Sequence, residues 1–327
     1  MSAMTRTLSI LASTARLSHR GYDARRMQQT ELERRLREAR DCEAWVDAAA
    51  EFFAAHDLVF GHGTDNAGDE AYWLLRHVTG WRELDATVPP PADATSRALV
   101  ICGQRVSTRK PLAYLIHEAW FAGLEFRVDE RVLVPRSPLA EVIERGFEPW
   151  CAVAPGDRIL DIGTGSGCIA IATAHYLPEV FVDATDVSPD ALEVAAVNVK
   201  RHGVGERVRL YRADLFPPGG QRYRAIVSNP PYVPEDEVAA LPAEYRHEPA
   251  IGLASGKTGF DAAERILRGA AARLAEDGVL FLEVGAGAEA FAATHPRLPL
   301  IALEFERGGD GVFVITAAEL REFLRSA

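Results

Sequence analysis

Two short turns carry the residue types that could do chemistry. The first reads Asp161-Ile162-Gly163-Thr164-Gly165-Ser166-Gly167. Glycine has no Cβ, so such a backbone turns sharply and lets a ligand approach it closely. The spacing is GxGxG with an acid just before it, not GxGxxG, and no GK[ST] follows to hold a phosphate chain. That favours a nucleoside without phosphates. The second turn reads Ser228-Asn229-Pro230-Pro231-Tyr232. Its two prolines remove two backbone donors and fix two φ angles, leaving a rigid turn whose carbonyls point outward unpaired. Asn229 Oδ1 and the Pro230 carbonyl can each accept one N–H of a planar nitrogen nucleophile, with the flat ring of Tyr232 near its plane. The lone pair of an amide or aryl amine is delocalised and reacts poorly. Two acceptors that draw charge onto the nitrogen, beside a donor group held in line, make displacement feasible through positioning and electrostatics. The proton can leave after the attack, so no general base is needed first.

Such turns need strands to present them. After Pro155-Gly156 the pattern alternates strand and helix: strands over 158–162, 180–184, 207–211, 225–228 and 279–284, with helices to Tyr176, over 189–202, over 259–274 and over 286–294. This predicts an α/β fold with a parallel sheet covered on both faces, with ligands outside the carboxyl ends of its strands. The segments 300–305 and 311–316 have no helix between them and predict an antiparallel hairpin. In that frame Asp186 ends the second strand, where a carboxylate can accept both ribose hydroxyls. Asp214 follows the third and could accept the amino group of adenine. An Asp at a strand end often only caps a helix, but two in register with the glycine turn point to a shared role.

The first third of the chain reads differently. Helix formers and spaced apolar residues predict a helix over 28–55, a turn-rich break at Gly61-His62-Gly63-Thr64-Asp65-Asn66-Ala67-Gly68, a helix over 69–79 and another from Thr95 to about Gln104. Residues 120–126 and 131–134 then predict a short β-hairpin linker. The expected organisation is an extension (1–26), a helical substrate-recognition domain (27–110), a hairpin linker (111–135) and a catalytic domain (136–327).

Composition limits the functional classes. The 327 residues are 48% hydrophobic and 25% charged, the balance of a soluble globular protein with more than one domain. The net charge of −11 argues against gripping long nucleic acid, which needs clustered cations. The charge is uneven: nine Arg against four acids in residues 1–40 (+5), then 27 bases against 43 acids (−16). Only Lys110, Lys200 and Lys257 are lysines, a sign of a GC-rich genome rather than of function. Cys42, Cys102, Cys151 and Cys168 form no CxxC pair and no metal-ligand spacing, and read as reduced cytosolic thiols. The longest uncharged run, Ile162 to Pro178, is broken by Gly, Thr, Ser and His, so no membrane span is expected. Residues 1–22 hold Arg, Ser and Thr but no acid, as organelle-import peptides do. The preferred expectation is a start at Met27, with the preceding residues outside the working protein.

The chain resembles the S-adenosylmethionine-dependent methyltransferases with an (Asn/Asp)-Pro-Pro-Tyr motif. Within that group it is similar to the bacterial HemK/PrmC-like protein-glutamine methyltransferases, most closely their PrmB type. The likeness runs from Met27 to the C-terminus. Besides the two turns it includes 61–66, Ala119-Trp120-Phe121, 128–138, Tyr245-Arg246-His247-Glu248-Pro249 and 307–313. A sister group acts on the Gly-Gly-Gln of peptide release factors and carries Pro-Arg-Pro-Asp-Thr-Glu where this chain has Pro135-Arg136-Ser137-Pro138-Leu139-Ala140-Glu141. That departure, with residues 61–66, separates the sisters.

The resemblance implies a Rossmann-like class I methyltransferase domain with a seven-stranded mixed sheet. It implies methylation of a glutamine side-chain amide in large-subunit ribosomal protein three, with S-adenosyl-L-homocysteine as the other product. Asp161 and Gly163, Thr164, Gly165, Ser166 and Gly167 would surround the cofactor, Asp186 its ribose, and Asp214 and Leu215 its adenine. Asn229, Pro230, Pro231 and Tyr232 would hold the amide, with Asn229 also near the cofactor. No metal is implied. Arg136 could close the site or form a structural ion pair. His247 is expected in a structural hydrogen bond. Arg307, Asp310 and Phe313 are expected to fix the last hairpin. A cytoplasmic bacterial enzyme is expected, with no membrane partner and no nucleic-acid contact beyond ribosomal RNA. Three other readings are carried: adenine amino-methylation in DNA, which lacks a basic reading region here; a NAD-linked dehydrogenase, which leaves the Asn229 turn unexplained; and a non-catalytic ribosome-assembly factor.

Overall fold

The computed structural model describes residues 28–81 and 87–326, so expectations for the N-terminal extension and its start site lie outside the described residues. The chain forms two compact units that divide between His117 and Glu118. The first is helical: Gln29–Glu38, Cys42–Ala54, Ala67–Thr79, Ala92–Thr108 and Leu112–Ile116. Trp45, Phe52, Phe53, Leu74 and Leu75 form part of its core, each at most 2% exposed. The single helix expected over 28–55 is two. Ala39 has an extended ψ of 124°, and Asp41 starts the next helix by accepting the Ala44 N–H at 2.8 Å. Asn66 caps the following helix in the same way, accepting from Asp69 N at 2.9 Å. The helix expected from Thr95 begins at Ala92, directly after Pro91, and runs to Thr108.

The second unit opens with a two-stranded antiparallel hairpin, β1 (Ala119–Phe121) and β2 (Leu124–Phe126). The segment expected as linker, 111–135, spans the division, with the Leu112–Ile116 helix in the first unit and the hairpin in the second. Residues 131–134 are not a strand. Asp129 accepts from the Arg131 backbone and guanidinium, and Val134 N donates to the Glu248 carboxylate at 3.1 Å. Val132 and Val134 are buried within a loop, so their alternation records burial and not strand pairing.

Seven further strands make one mixed sheet: β3 (Arg158–Ile162), β4 (Phe181–Asp186), β5 (Val208–Arg212), β6 (Tyr223–Ser228), β7 (Leu274–Glu283), β8 (Ile301–Ala302) and β9 (Val312–Thr316). Their spatial order is β5-β4-β3-β6-β7-β9-β8. The first five are parallel, and β9 runs antiparallel to both β7 and β8. Helices Cys168–Tyr176, Pro189–Arg201, Asp261–Arg273 and Ala288–Thr294 interleave with the strands, and Ala317–Ser326 follows the last. Leu160, Ile162, Ile226, Leu280, Leu282, Phe291 and Ile315 share one core cluster, each 1% exposed or less. Burial on this scale contributes about 1.5–3 kcal/mol per large side chain. The last hairpin forms, but its first strand is only two residues long. Beyond Leu303 the loop docks instead on the Leu139–Glu144 helix, where Glu141 accepts from Glu306 N and Arg307 N and Glu144 from the Arg307 guanidinium.

The chain runs outward from β3 through β4 to β5, then returns to β6 on the other side of β3. The switch point therefore lies between β3 and β6, where an open parallel sheet leaves a crevice at its carboxyl edge. Both chemistry-bearing turns leave the sheet there.

Candidate active site

Gly163, Gly165 and Gly167 have φ of +74°, +54° and +82°, a region that side chains with a Cβ avoid. The backbone amides of Gly163 and Thr164 both donate to Thr185 O at 2.9 Å, tying the turn to the end of β4. Asp161 is 1% exposed and supports the turn from below. Its Oδ2 accepts from Thr164 Oγ1 at 2.5 Å and Ala170 N at 3.1 Å. Burial pushes its carboxyl up to about 7, against the pull of those two bonds. Its Oδ1 is buried with no hydrogen-bond partner among the described residues and so keeps its acceptor capacity.

Asp186, at the end of β4, accepts Gly165 N on Oδ2 and Ser188 N on Oδ1, both at 2.9 Å. Each oxygen keeps acceptor capacity for a hydroxyl, and burial raises the carboxyl above its ordinary value. Leu215 adopts φ +71°, and its carbonyl accepts Thr185 Oγ1 at 2.7 Å. Asp214 is placed differently from the other acids: its side chain is 61% exposed and pairs with Arg265 at 2.6 Å.

The second turn leaves β6. Ser228 Oγ donates to Ile162 O at 2.8 Å, so the strand ends are fastened side by side. A Cβ placed on Gly163 would lie 4.0 Å from Asn229 O, which makes the two turns direct neighbours. Asn229 is half-buried and Pro230 buried. Among the described residues no backbone N–H donates to the carbonyls of Asn229, Pro230 or Pro231. Burial raises the Tyr232 phenol to about 12, so it stays a neutral hydroxyl. A Cβ on Gly285 would come 2.6 Å from its ring, so only glycine admits the ring there.

Two supporting residues, Asn198 and Glu283, had no signal in the linear sequence. Asn198, fully buried on the Pro189–Arg201 helix, accepts Arg127 N at 2.8 Å and donates to Arg127 O at 2.9 Å and Ser166 O at 2.8 Å. It joins the segment after the hairpin to the glycine turn. Glu283 ends β7 with 4% exposure and accepts from Ser137 Oγ. Arg136 forms a two-pronged ion pair with Glu248 at 2.5 and 2.8 Å, with the Glu248 side chain fully buried, and stacks over Tyr245 at 5.5 Å. The structure thus gives Arg136 the ion-pair role. Burial and fixed partners could have been read from sequence only with knowledge of which segments meet. Among the described residues no group of His, Cys, Asp and Glu is arranged to hold a metal ion.

A seven-stranded sheet of this order, with a glycine turn and a proline-stiffened turn at its switch point, defines a Rossmann-like methyltransferase domain. Residues 151–243 match the family described as methyltransferase small domain. A ribosomal protein uL3 glutamine methyltransferase of Xanthomonas campestris is 45% identical over 271 residues, covering 80% of this chain and 87% of that protein. One from Neisseria gonorrhoeae is 45% identical over 271 residues, with 80% and 90% covered. Among solved structures, a methyltransferase from Pyrococcus furiosus has a TM-score of 0.44 at 20% identity, over 60% of this chain and 89% of that one. A 16S rRNA N2 G1207 methyltransferase of Thermus thermophilus, in complex with AdoMet and guanosine, has a TM-score of 0.42 at 18% identity, over 61% and 49%. The chain belongs to the family of ribosomal protein uL3 glutamine methyltransferases.

Proposed function

We propose that the chain methylates the side-chain amide nitrogen of a glutamine in ribosomal protein uL3, with S-adenosyl-L-methionine as donor. The observation that carries this is the contact of the two turns: three glycines at positive φ, directly beside three uncommitted carbonyls on a proline-stiffened strand end. The residues fit the cofactor. The free Asp161 Oδ1 suits a cationic or hydroxyl group, and Asp186 retains acceptor capacity for a ribose. Gly163 to Gly167 would turn around the cofactor, with Leu215 and Asp214 near its base. When bound, the donor supplies an electrophilic methyl group and leaves as S-adenosyl-L-homocysteine.

The chain's own contribution is placement. Asn229 Oδ1 and the Pro230 carbonyl accept the two amide N–H groups, which aims the nitrogen lone pair and draws charge onto it. Tyr232 packs against the amide plane. As the aligned nitrogen took the methyl group that the bound donor would supply, one amide proton would leave to water. The helical unit selects the ribosomal protein, and the −16 balance of residues 41–327 attracts a basic partner. A ribosomal substrate places the reaction in the cytoplasm.

The decisive measurement is transfer of labelled methyl to uL3 from cells lacking the modification, with a peptide release factor in parallel. Labelling of uL3 alone by wild-type protein, lost in Asn229→Ala, is expected. Labelling of the release factor alone would move the substrate assignment to the sister group. Absence of any transfer would support the non-catalytic assembly-factor reading.

A further inference from the structure

The glycine turn is tied to two different parts of the fold. Gly163, Thr164 and Gly165 donate their amides to Thr185 O and Asp186, at the end of β4. Ser166 and Gly167 lean instead on the Pro189–Arg201 helix. A Cβ on Gly167 would come 3.3 Å from Ala195 Cβ, and three residues further along the same buried face stands Asn198, 0% exposed. Its amide nitrogen donates to Ser166 O at 2.8 Å and Arg127 O at 2.9 Å, and its oxygen accepts Arg127 N at 2.8 Å. These partners fix which way the amide faces, because a flipped amide would set its oxygen against two carbonyls and its N–H groups against another N–H. Arg127 directly follows β2. The chain on either side of it is fastened along the same helix, by Arg131 to Glu193 at 2.9 Å, by Arg201 to Glu125, and by His202 Nε2 to Glu125 O at 2.9 Å.

We infer that Asn198 is a positioning residue for the methyl donor: it fixes the Ser166 end of the glycine turn to the chain leaving the β1-β2 hairpin, so that donor binding and the seating of that chain are linked. This rests on the reading of the glycine turn as the donor site. Ser166 is 2% exposed, so its carbonyl has little water to turn to once the Asn198 amide is gone. It must rotate to find another partner. The peptide it shares with Gly167 rotates with it, and a glycine at φ +82° offers little resistance. The turn then loses the shape that surrounds the donor. Asn198 makes none of its bonds to the Asn229 turn, so alignment of the acceptor nitrogen is left alone. The link is reciprocal: whatever holds the turn closed around the donor also holds the two Arg127 bonds.

The test is calorimetry with S-adenosyl-L-methionine on wild-type protein, Asn198→Leu and Arg201→Ala, with methyl transfer to uL3 measured at saturating donor. Leucine fills the space of the amide and makes none of its bonds, which separates packing from positioning. Asn198→Leu should raise the donor Kd about tenfold and leave kcat at saturation and the KM for uL3 within about twofold. Arg201→Ala cuts a surface pair between the same helix and the hairpin, leaves the Asn198 bonds in place, and should keep the wild-type Kd. A wild-type Kd in Asn198→Leu would reduce Asn198 to packing and overturn the inference. An equal loss in Arg201→Ala would overturn it too, because any loosening of the helix would then suffice. Amide hydrogen exchange reads the link without turnover. In wild-type protein, saturating donor should slow exchange at Arg127 by more than it slows the Ala317–Ser326 helix, and the extra protection should vanish in Asn198→Leu. No extra protection at Arg127 in wild-type protein overturns the link, and that measurement decides the matter if Asn198→Leu does not fold. Failure of wild-type protein to bind the donor at all would overturn the reading of the turn and this inference with it, whereas normal binding with an indifferent Asn198 overturns the inference alone.

Discussion

The glycine turn after β3 and the proline turn after β6 lie side by side, yet they are built by opposite means. The first gains its shape from residues with excess conformational freedom, and outside groups must hold it: Asp161 from below, Asp186 through Gly165 N, and Asn198 through Ser166 O. The second gains its shape from residues with almost no freedom, and its carbonyls stay unpaired. The difference matches the tasks. A cofactor is bound by surrounding it, which needs a backbone that gives way sterically. A reacting nitrogen is aligned by a few acceptors, which must not move.

If that division is right, damage to the second turn strikes turnover and damage to the first strikes affinity. Asn229→Ala should therefore have the largest effect, a fall in kcat of roughly 10³-fold, the scale of losing an electrostatic contact to the reacting group. Calorimetry should show cofactor binding changed by no more than about threefold. Gly163→Val forces a β-branched residue to φ +74° beside Asn229 O. At about 1–3 kcal/mol of strain it should weaken cofactor binding by up to about 100-fold. A normal cofactor Kd in this variant would break the comparison. Asp186→Ala removes the acceptor of Gly165 N and of the ribose, and should raise the cofactor Kd about 30-fold with kcat at saturation nearly kept.

Stability sharpens the contrast further. Asp161 and Glu283, one under each turn, are both raised to about 7 by burial. An acid whose folded value is raised contributes stability fully below its unfolded value, near 4, and loses it as pH rises through 7. The thermal midpoint should fall from pH 5 to pH 8, and Asp161→Asn should flatten part of that fall. The smallest effect belongs to Asp214→Ala. This carboxylate is exposed and paired with Arg265, so cofactor affinity should change by less than about threefold.

How much of this was readable depended on whether the signal was local. The strand 158–162 and the helix ending at Tyr176 match their expected bounds, because apolar runs and glycines mark them within a few residues. The hairpin extended through 131–134 failed because alternate burial under a loop imitates a strand. The same holds within the site. Asp161, Gly163, Asp186 and Asn229 were legible from their positions at strand ends. Asn198 and Glu283 were not, since nothing near them in sequence says what they touch.

The sequence by itself determined which residues have unusual backbones and where strands end, because φ restriction by proline, φ freedom at glycine and apolar periodicity are properties of a few adjacent residues. It therefore determined both turns and the parallel sheet. Only the tertiary structure decided that β6 lies against β3, which sets Asn229 O next to Gly163. The same holds for the bond from Ser137 across 146 residues to Glu283. Those pairings depend on long-range packing of the core, in which a side chain's partner is fixed by strand order and not by its neighbours in the chain.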